Sequence, residues 1–156
     1  MSSHFTKIVV VGDKNTGKTS FITKYLYNIF LEDYVETSAT EVYCQGCYLK
    51  IIDFIPDSNG MEVNWGYGGC DGVIIVYDVH NQDSYDNIDN WINNARRCTK
   101  SPIIICGTMS DMPGGKIYHN DEIPTFIVSA KTGASINTAG EYLLKQIKIN
   151  NPSKFY

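Results

Sequence analysis

No apolar stretch in the chain approaches the roughly 20 residues that a membrane-spanning helix needs, which excludes a helical span. The N-terminal apolar run is short and breaks into glycine, unlike a secretory leader, so the expectation is a cytoplasmic protein. Charge is also scarce: charged residues are 19% of the composition, and 17 acidic against 13 basic side chains leave a net charge of −4. Without a basic surplus, nucleic acid is not expected as the main partner. The five cysteines are an odd count in a chain with no leader, which fits reduced thiols better than a disulfide framework. Cys44 and Cys47 form a CxxC, but a second ligand pair is missing and Gln45-Gly46 resembles a hairpin tip. Two thiols flanking a turn fit that spacing better than a zinc or redox centre. Internal repeats, low-complexity tracts and linkers are absent as well, so 156 residues with 43% hydrophobic content read as one domain over 1–156.

What the chain does carry is densest between Ile8 and Thr19. A run of Ile8, Val9, Val10 and Val11 leads into Gly12-Asp13-Lys14-Asn15-Thr16-Gly17-Lys18-Thr19-Ser20, and an apolar-periodic segment follows. This is the phosphate-binding pattern GxxxxGK[ST] between a buried strand and a helix, the context that gives it meaning. Gly12 and Gly17 allow backbone angles that a β-carbon opposes, so successive N–H groups can turn inward on an anion. The following helix aims its positive end at the same place. Lys18 supplies a point charge for β- and γ-phosphates, and Thr19 a hydroxyl for Mg²⁺. Lys14 reads equally well as a phosphate contact and as a solvated side chain.

Beyond the loop, Phe21, Ile22, Tyr25 and Leu26 predict a helix over 19–27. Phe30 to Thr40 lacks a period and reads as an exposed loop. Glu41–Cys44 and Cys47–Asp53 form an antiparallel hairpin, ending on a carboxylate. Residues 54–71, rich in glycine, form a long loop or irregular short helix. Buried strands are predicted at 72–78, 102–106 and 125–128, with amphipathic helices at 84–98 and 134–149. Tyr142, Leu143 and Ile147 share a face of the last helix on this reading. Strands alternating with helices imply a mostly parallel sheet covered on both faces, with ligands bound at its carboxyl edge. Gly12, Asp53, Thr108, Asp111 and Ser129 all lie just past the predicted strand ends, so they should converge on one crevice.

These residues resemble the Ras superfamily of small GTPases. Counting from Lys18 without a gap, Phe30, Tyr34 and Thr37 fall where that family has an aromatic beside guanine, a tyrosine over the phosphates and the switch I threonine that reaches Mg²⁺. Tyr67-Gly68-Gly69-Cys70-Asp71-Gly72 through Asp78, then Ser84-Tyr85 and Trp91, look most like the Rab branch. Ser129-Ala130-Lys131 matches the last base-binding loop. The resemblance implies a three-layer P-loop NTPase (Ras-like) α/β fold, its mostly parallel sheet carrying one antiparallel hairpin strand. It also implies GDP or GTP with Mg²⁺ held by Thr19, Thr37 and Asp53. Guanine would be read by Asp111, whose carboxylate accepts from the ring N1–H and exocyclic amine together, and adenine would leave that carboxylate unpaired. Protein effectors or regulators would meet the switch segments.

Departures from the family pattern set further expectations. The guanine motif NKxD appears as Thr108-Met109-Ser110-Asp111, where a hydroxyl and a flexible apolar stem stand in, so base binding should be weaker. DxxG appears as Asp53-Phe54-Ile55-Pro56, and proline has no N–H for the γ-phosphate. Asp57 replaces the catalytic glutamine, so no catalytic residue is secure and hydrolysis should be slow or absent. Residues 111–129 are about two helical turns short of the family norm and include Pro113, Gly114, Gly115 and Pro124, so the fourth helix should be reduced or absent. The last residues carry no cysteine for prenylation, so the expectation is action in solution, a membrane reached through a partner, or a chain whose natural C-terminus lies further on. Together these imply a Rab-like guanine nucleotide-binding protein of vesicle traffic or signalling, with a non-cycling pseudo-GTPase scaffold as the alternative. An ATP-using P-loop enzyme is disfavoured by Asp111 and Ser129-Ala130-Lys131.

Overall fold

The computed structural model describes residues 6–27, 41–44, 47–52, 67–109 and 111–152. Six strands form one sheet in the order β2-β3-β1-β4-β5-β6. They are β1 (Thr6–Val11), β2 (Glu41–Cys44), β3 (Cys47–Ile52), β4 (Gly72–Asp78), β5 (Ile103–Thr108) and β6 (Thr125–Ile127). Only the edge pair β2–β3 is antiparallel, with Cys44 opposite Cys47 across the hairpin, and every other pair is parallel. Among the described residues four helices accompany the sheet: α1 (Lys18–Tyr27), α2 (Gln82–Asp86), α3 (Ile88–Cys98) and α4 (Ile136–Asn150). This is the three-layer α/β architecture expected from the alternation of strand and helix.

The period of two in the aliphatic strands divides the core cleanly. Val9, Val11, Val73, Ile75, Ile103 and Ile105 share one cluster with Ile88, Trp91 and Ala95 of α3. Their neighbours Ile8, Val10, Ile74, Val76, Ile104 and Cys106 share the other with Phe21 and Ile22 of α1 and Leu143 and Ile147 of α4. Because both faces are covered, β1, β4 and β5 read as unbroken apolar runs, and only their ends are available for chemistry. β6 is half-buried throughout, as an edge strand should be.

Some local expectations are corrected. The helix anticipated over 84–98 is two helices, because Asn87 closes α2 through its N–H to the Asp83 and Tyr85 carbonyls and then opens α3. β5 runs on to Thr108, two residues past the expected end, so Thr108 closes the strand rather than following it. In α4 the buried stripe is Ile136, Ala139, Gly140, Leu143 and Ile147; Tyr142 lies one 100° step off it, is exposed, and tilts against Phe126 at 5.4 Å. The tip Gln45-Gly46, Asp53 and most of the 54–71 segment lie outside the described residues. The remainder, from Tyr67 to Asp71, is fastened to β1 by reciprocal bonds: the Lys7 N–H donates to the Asp71 carboxylate at 2.9 Å, and the Asp71 N–H to the Lys7 carbonyl at 2.7 Å.

No helix forms between Asp111 and Pro124. The segment is held by a tyrosine in β4 instead. The buried Tyr77 hydroxyl donates to the Lys116 carbonyl at 2.8 Å and accepts the Tyr118 N–H at 2.9 Å. Tyr118 then packs edge-on against Tyr85 at 5.9 Å and donates to Asp89 of α3 at 2.5 Å, so one phenol replaces a helix ladder as the organiser of this edge. Tyr77→Phe strands both backbone groups at once. A loss of about 1–3 kcal/mol in urea unfolding is expected, with faster proteolysis within 111–124; unchanged stability would show that another contact holds the segment.

Candidate functional site

The carboxyl end of β1 passes into a turn whose backbone is set by position-specific constraints. Gly12 has φ +150°, and a β-carbon there would run into the Val76 carbonyl of β4, so glycine lets the loop pass flush against the sheet. Gly17 has φ +93° and Asn15, an exposed non-glycine, φ +61°, left-handed values of the kind with which a turn can aim successive amides at an anion. Lys18 is 5% exposed, and its ammonium is held at the base of the turn by the carbonyls of Gly12 at 2.9 Å and Asp13 at 2.5 Å. The same turn is closed by the Thr16 hydroxyl donating to the Asp13 carbonyl at 2.8 Å. Thr19 and Ser20 sit half-buried in the first turn of α1, and Lys14 is exposed. A buried cation, left-handed turn residues and a helix N-terminus together are the parts of an anion cradle.

The loop after β5 lies directly beside this cradle. The Thr108 hydroxyl lies 2.5 Å from the Thr16 carbonyl and 3.0 Å from the Tyr77 carbonyl, sharing one proton between the phosphate loop and β4. Met109, the next residue, adopts φ +64° and leaves its side chain exposed. Asp111 accepts from the Ser129 hydroxyl at 3.1 Å, and Ser129 is itself buried and accepts the Thr132 N–H at 3.2 Å. The Ser129 carbonyl accepts the Gly133 N–H at 2.8 Å, and the Ser129 N–H donates to the Ala134 carbonyl at 3.1 Å. These bonds fix the turn bearing Ala130 and exposed Lys131 next to the Asp111 carboxylate. A planar ring with adjacent donors would have the carboxylate on its edge and the Met109 stem within reach of its face.

The structure therefore brings together Gly12, Lys14, Asn15, Thr16, Gly17, Lys18, Thr19, Ser20, Thr108, Met109, Asp111, Ser129, Ala130 and Lys131 along one edge of the sheet. Phe30, Tyr34, Thr37, Asp53, Pro56 and Asp57 lie outside the described residues. Of the three expected Mg²⁺ ligands, only Thr19 is thus described; its hydroxyl is the hard oxygen donor that this ion takes. Among the described residues no three His, Cys, Asp or Glu side chains gather as a metal site of their own. Cys106, fully buried in β5, is no nucleophile at neutral pH, since burial pushes its thiol well above the ordinary range.

One site feature escaped the sequence reading. Asp13, within the phosphate loop, accepts from the Asn87 amide at 3.1 and 3.0 Å and from the Trp91 indole N–H at 2.9 Å. In sequence Trp91 shows as part of the Rab-like pattern and of an amphipathic helix, neither of which points to a bond with the loop. The available signal was the acid itself, a charge that needs a partner in a loop shaped for anions.

Thr108→Val keeps the shape of the side chain and deletes the tie to Thr16. It is expected to cost about 1–3 kcal/mol in urea unfolding and to raise amide exchange across residues 13–18; unchanged exchange would show that the tie does not hold the loop.

Comparison with known proteins agrees with this geometry. The Ras family model matches residues 7–149. The chain is similar to the Ras-related protein RabF1 of Dictyostelium discoideum, 32% identical over 159 residues that cover 91% of this chain and 84% of that protein. It is also similar to the Ras-related protein RabY of the same organism, 25% identical over 166 residues covering 93% of this chain and 70% of that protein. With the phosphate loop, the Asp111 loop and the Ser129 turn on one sheet edge, and a family match over nearly its whole length, the chain belongs to the Ras family as a GTP-binding, Rab-like small GTPase.

Proposed function

We propose that this protein binds GDP and GTP with Mg²⁺, hydrolyses GTP slowly or not at all, and works in vesicle traffic or signalling through effectors and regulators that meet its switch segments. The observation that supports the reading is the Thr108 hydroxyl bridging to the Thr16 carbonyl, because the loop that would select guanine and the loop that would hold phosphate are then neighbours. Lys18 would neutralise β- and γ-phosphate oxygens while the backbone amides of 14–18 donate to them. Asp111, steadied by Ser129, would accept from the two donors that guanine has and adenine lacks. Mg²⁺, when bound, supplies charge neutralisation on the phosphates; Thr19 would be its ligand among the described residues, with Thr37 and Asp53 completing the set by family resemblance.

Slow turnover rests on two residues. Pro56 cannot donate a backbone N–H to the γ-phosphate. Asp57 offers negative charge where a water-orienting amide is needed. Both substitutions also remove the means by which a switch loop is ordered by γ-phosphate, which favours a module that stays in one state. Action in the cytoplasm belongs to the same proposal.

Purified protein, denatured and chromatographed, should release guanine nucleotide, and single-turnover phosphate release from added GTP should be slow. Pro56→Gly with Asp57→Gln is expected to raise that rate by on the order of tenfold or more. Adenine nucleotide in the extract would overturn the guanine assignment, and rapid turnover in the unaltered protein would overturn the account of residues 56 and 57. Asp111→Asn should weaken GTP and favour xanthosine triphosphate, since an amide then meets an oxygen; an unchanged preference would show that another group reads the base.

A further inference from the structure

Asp13 is an anomaly in its surroundings. A carboxylate in a turn shaped to receive phosphate opposes the ligand by its charge, unless its own hydrogen bonds and position serve the site. Its partners come from the other side of the sheet edge. Asn87 donates to both carboxylate oxygens at 3.1 and 3.0 Å, and the indole of Trp91, itself only 2% exposed, donates to one of them at 2.9 Å. Asn87 stands at the N-cap of α3, where asparagine ordinarily accepts an N–H from its own helix, yet here it makes no side-chain cap bond. Its oxygen accepts from Asn90 at 2.9 Å while its amide goes to Asp13, so a capping group has been given over to the loop.

The main chain of the same residue completes the connection. The Asp13 carbonyl accepts from the Lys18 ammonium and from the Thr16 hydroxyl, so fixing the Asp13 side chain fixes the peptide that aims the cation. We infer that Asn87 and Trp91, acting on Asp13, form a positioning bracket that sets the Lys18 ammonium for the β-phosphate of a bound nucleotide and ties occupancy of the site to helix α3. The inference rests on the reading of this loop as the phosphate site for guanine nucleotides. Asp13 acts through Lys18 and is a positioning residue.

Charge and position predict opposite signs, which makes the bracket testable. If Asp13 mattered only through its charge, Asp13→Ala would remove a repulsion and slow the release of GDP. If it positions Lys18, Asp13→Ala speeds release by about tenfold to a hundredfold, the range for a lost hydrogen-bonded charge. Asn87→Ala should act in the same direction, and the double variant should be no worse than the more severe single one, because both remove one linkage. Asn87→Asp keeps the shape but sets two carboxylates together. Its release of GDP should slow as pH falls and the pair takes up a proton, a profile that a merely structural defect would not produce.

The experiment follows release of N-methylanthraniloyl-GDP from each folded variant, with folding checked by circular dichroism. Emission of Trp91 is read in a Trp65→Phe background, where it is the sole tryptophan. Faster release, non-additivity and a nucleotide-dependent Trp91 emission that Asp13→Ala abolishes support the bracket. Unchanged or slower release in Asp13→Ala and Asn87→Ala, strict additivity, or Trp91 emission indifferent to GDP overturns it. Failure of the unaltered protein to bind the probe overturns the nucleotide reading and the bracket together, whereas tight binding by protein and variants alike overturns the bracket alone.

Discussion

A turn that must present its backbone to an anion needs support from outside itself, and the contacts at the carboxyl edge of this sheet supply it. Three supports from three elements hold the turn open from behind. Gly12 lies flush on the β4 backbone, Thr108 at the end of β5 holds the Thr16 carbonyl, and α3 holds Asp13 through Asn87 and Trp91. Lys18 unites them, because its ammonium bonds the two carbonyls at the loop's base. Preorganisation of this kind is the condition for phosphate to bind without the loop first having to be ordered.

The sheet supplies the rigidity on which those supports depend. Strands buried on both faces present chemistry only at their ends, and the right neighbours are set by strand order: β1 sits beside β4, and β4 beside β5. The register places Asp78 opposite Thr108, so the loop bearing Asp111 starts level with the phosphate loop's neighbour. Where the chain is too short for another helix, Tyr77 takes over by pairing its hydroxyl with two backbone groups of 116–118. There a single buried phenol holds the chain that leads from Asp111 to β6.

Sequence patterns carried much of this architecture, and the reasons are physical. Aliphatic runs ending in glycine or aspartate marked β1 and β4, since burial on both faces demands them. The phosphate loop was visible because glycine at fixed spacing has no substitute there. Thr108 was legible as the hydroxyl standing in a degenerate guanine motif, and its bond to the Thr16 carbonyl comes from the structure. Three features were hidden. The break at Asn87 left the hydrophobic period of 84–98 uninterrupted, so periodicity alone merged α2 and α3. Tyr142 lies next to the buried stripe of α4 and differs from it only by one helical step. The Asp13 linkage joins residues 74 and 78 positions apart, and no local pattern reports a contact over that separation.

Membership of the Ras family and the site geometry lead to one central claim: the carboxyl edge of this sheet is a guanine nucleotide site. Its most direct test is calorimetric titration of nucleotide-stripped protein with GDP and, separately, with ADP, both in the presence of Mg²⁺. The account predicts saturable binding of GDP with ADP weaker by orders of magnitude. Equal affinity for the two, or heat from neither, would contradict it.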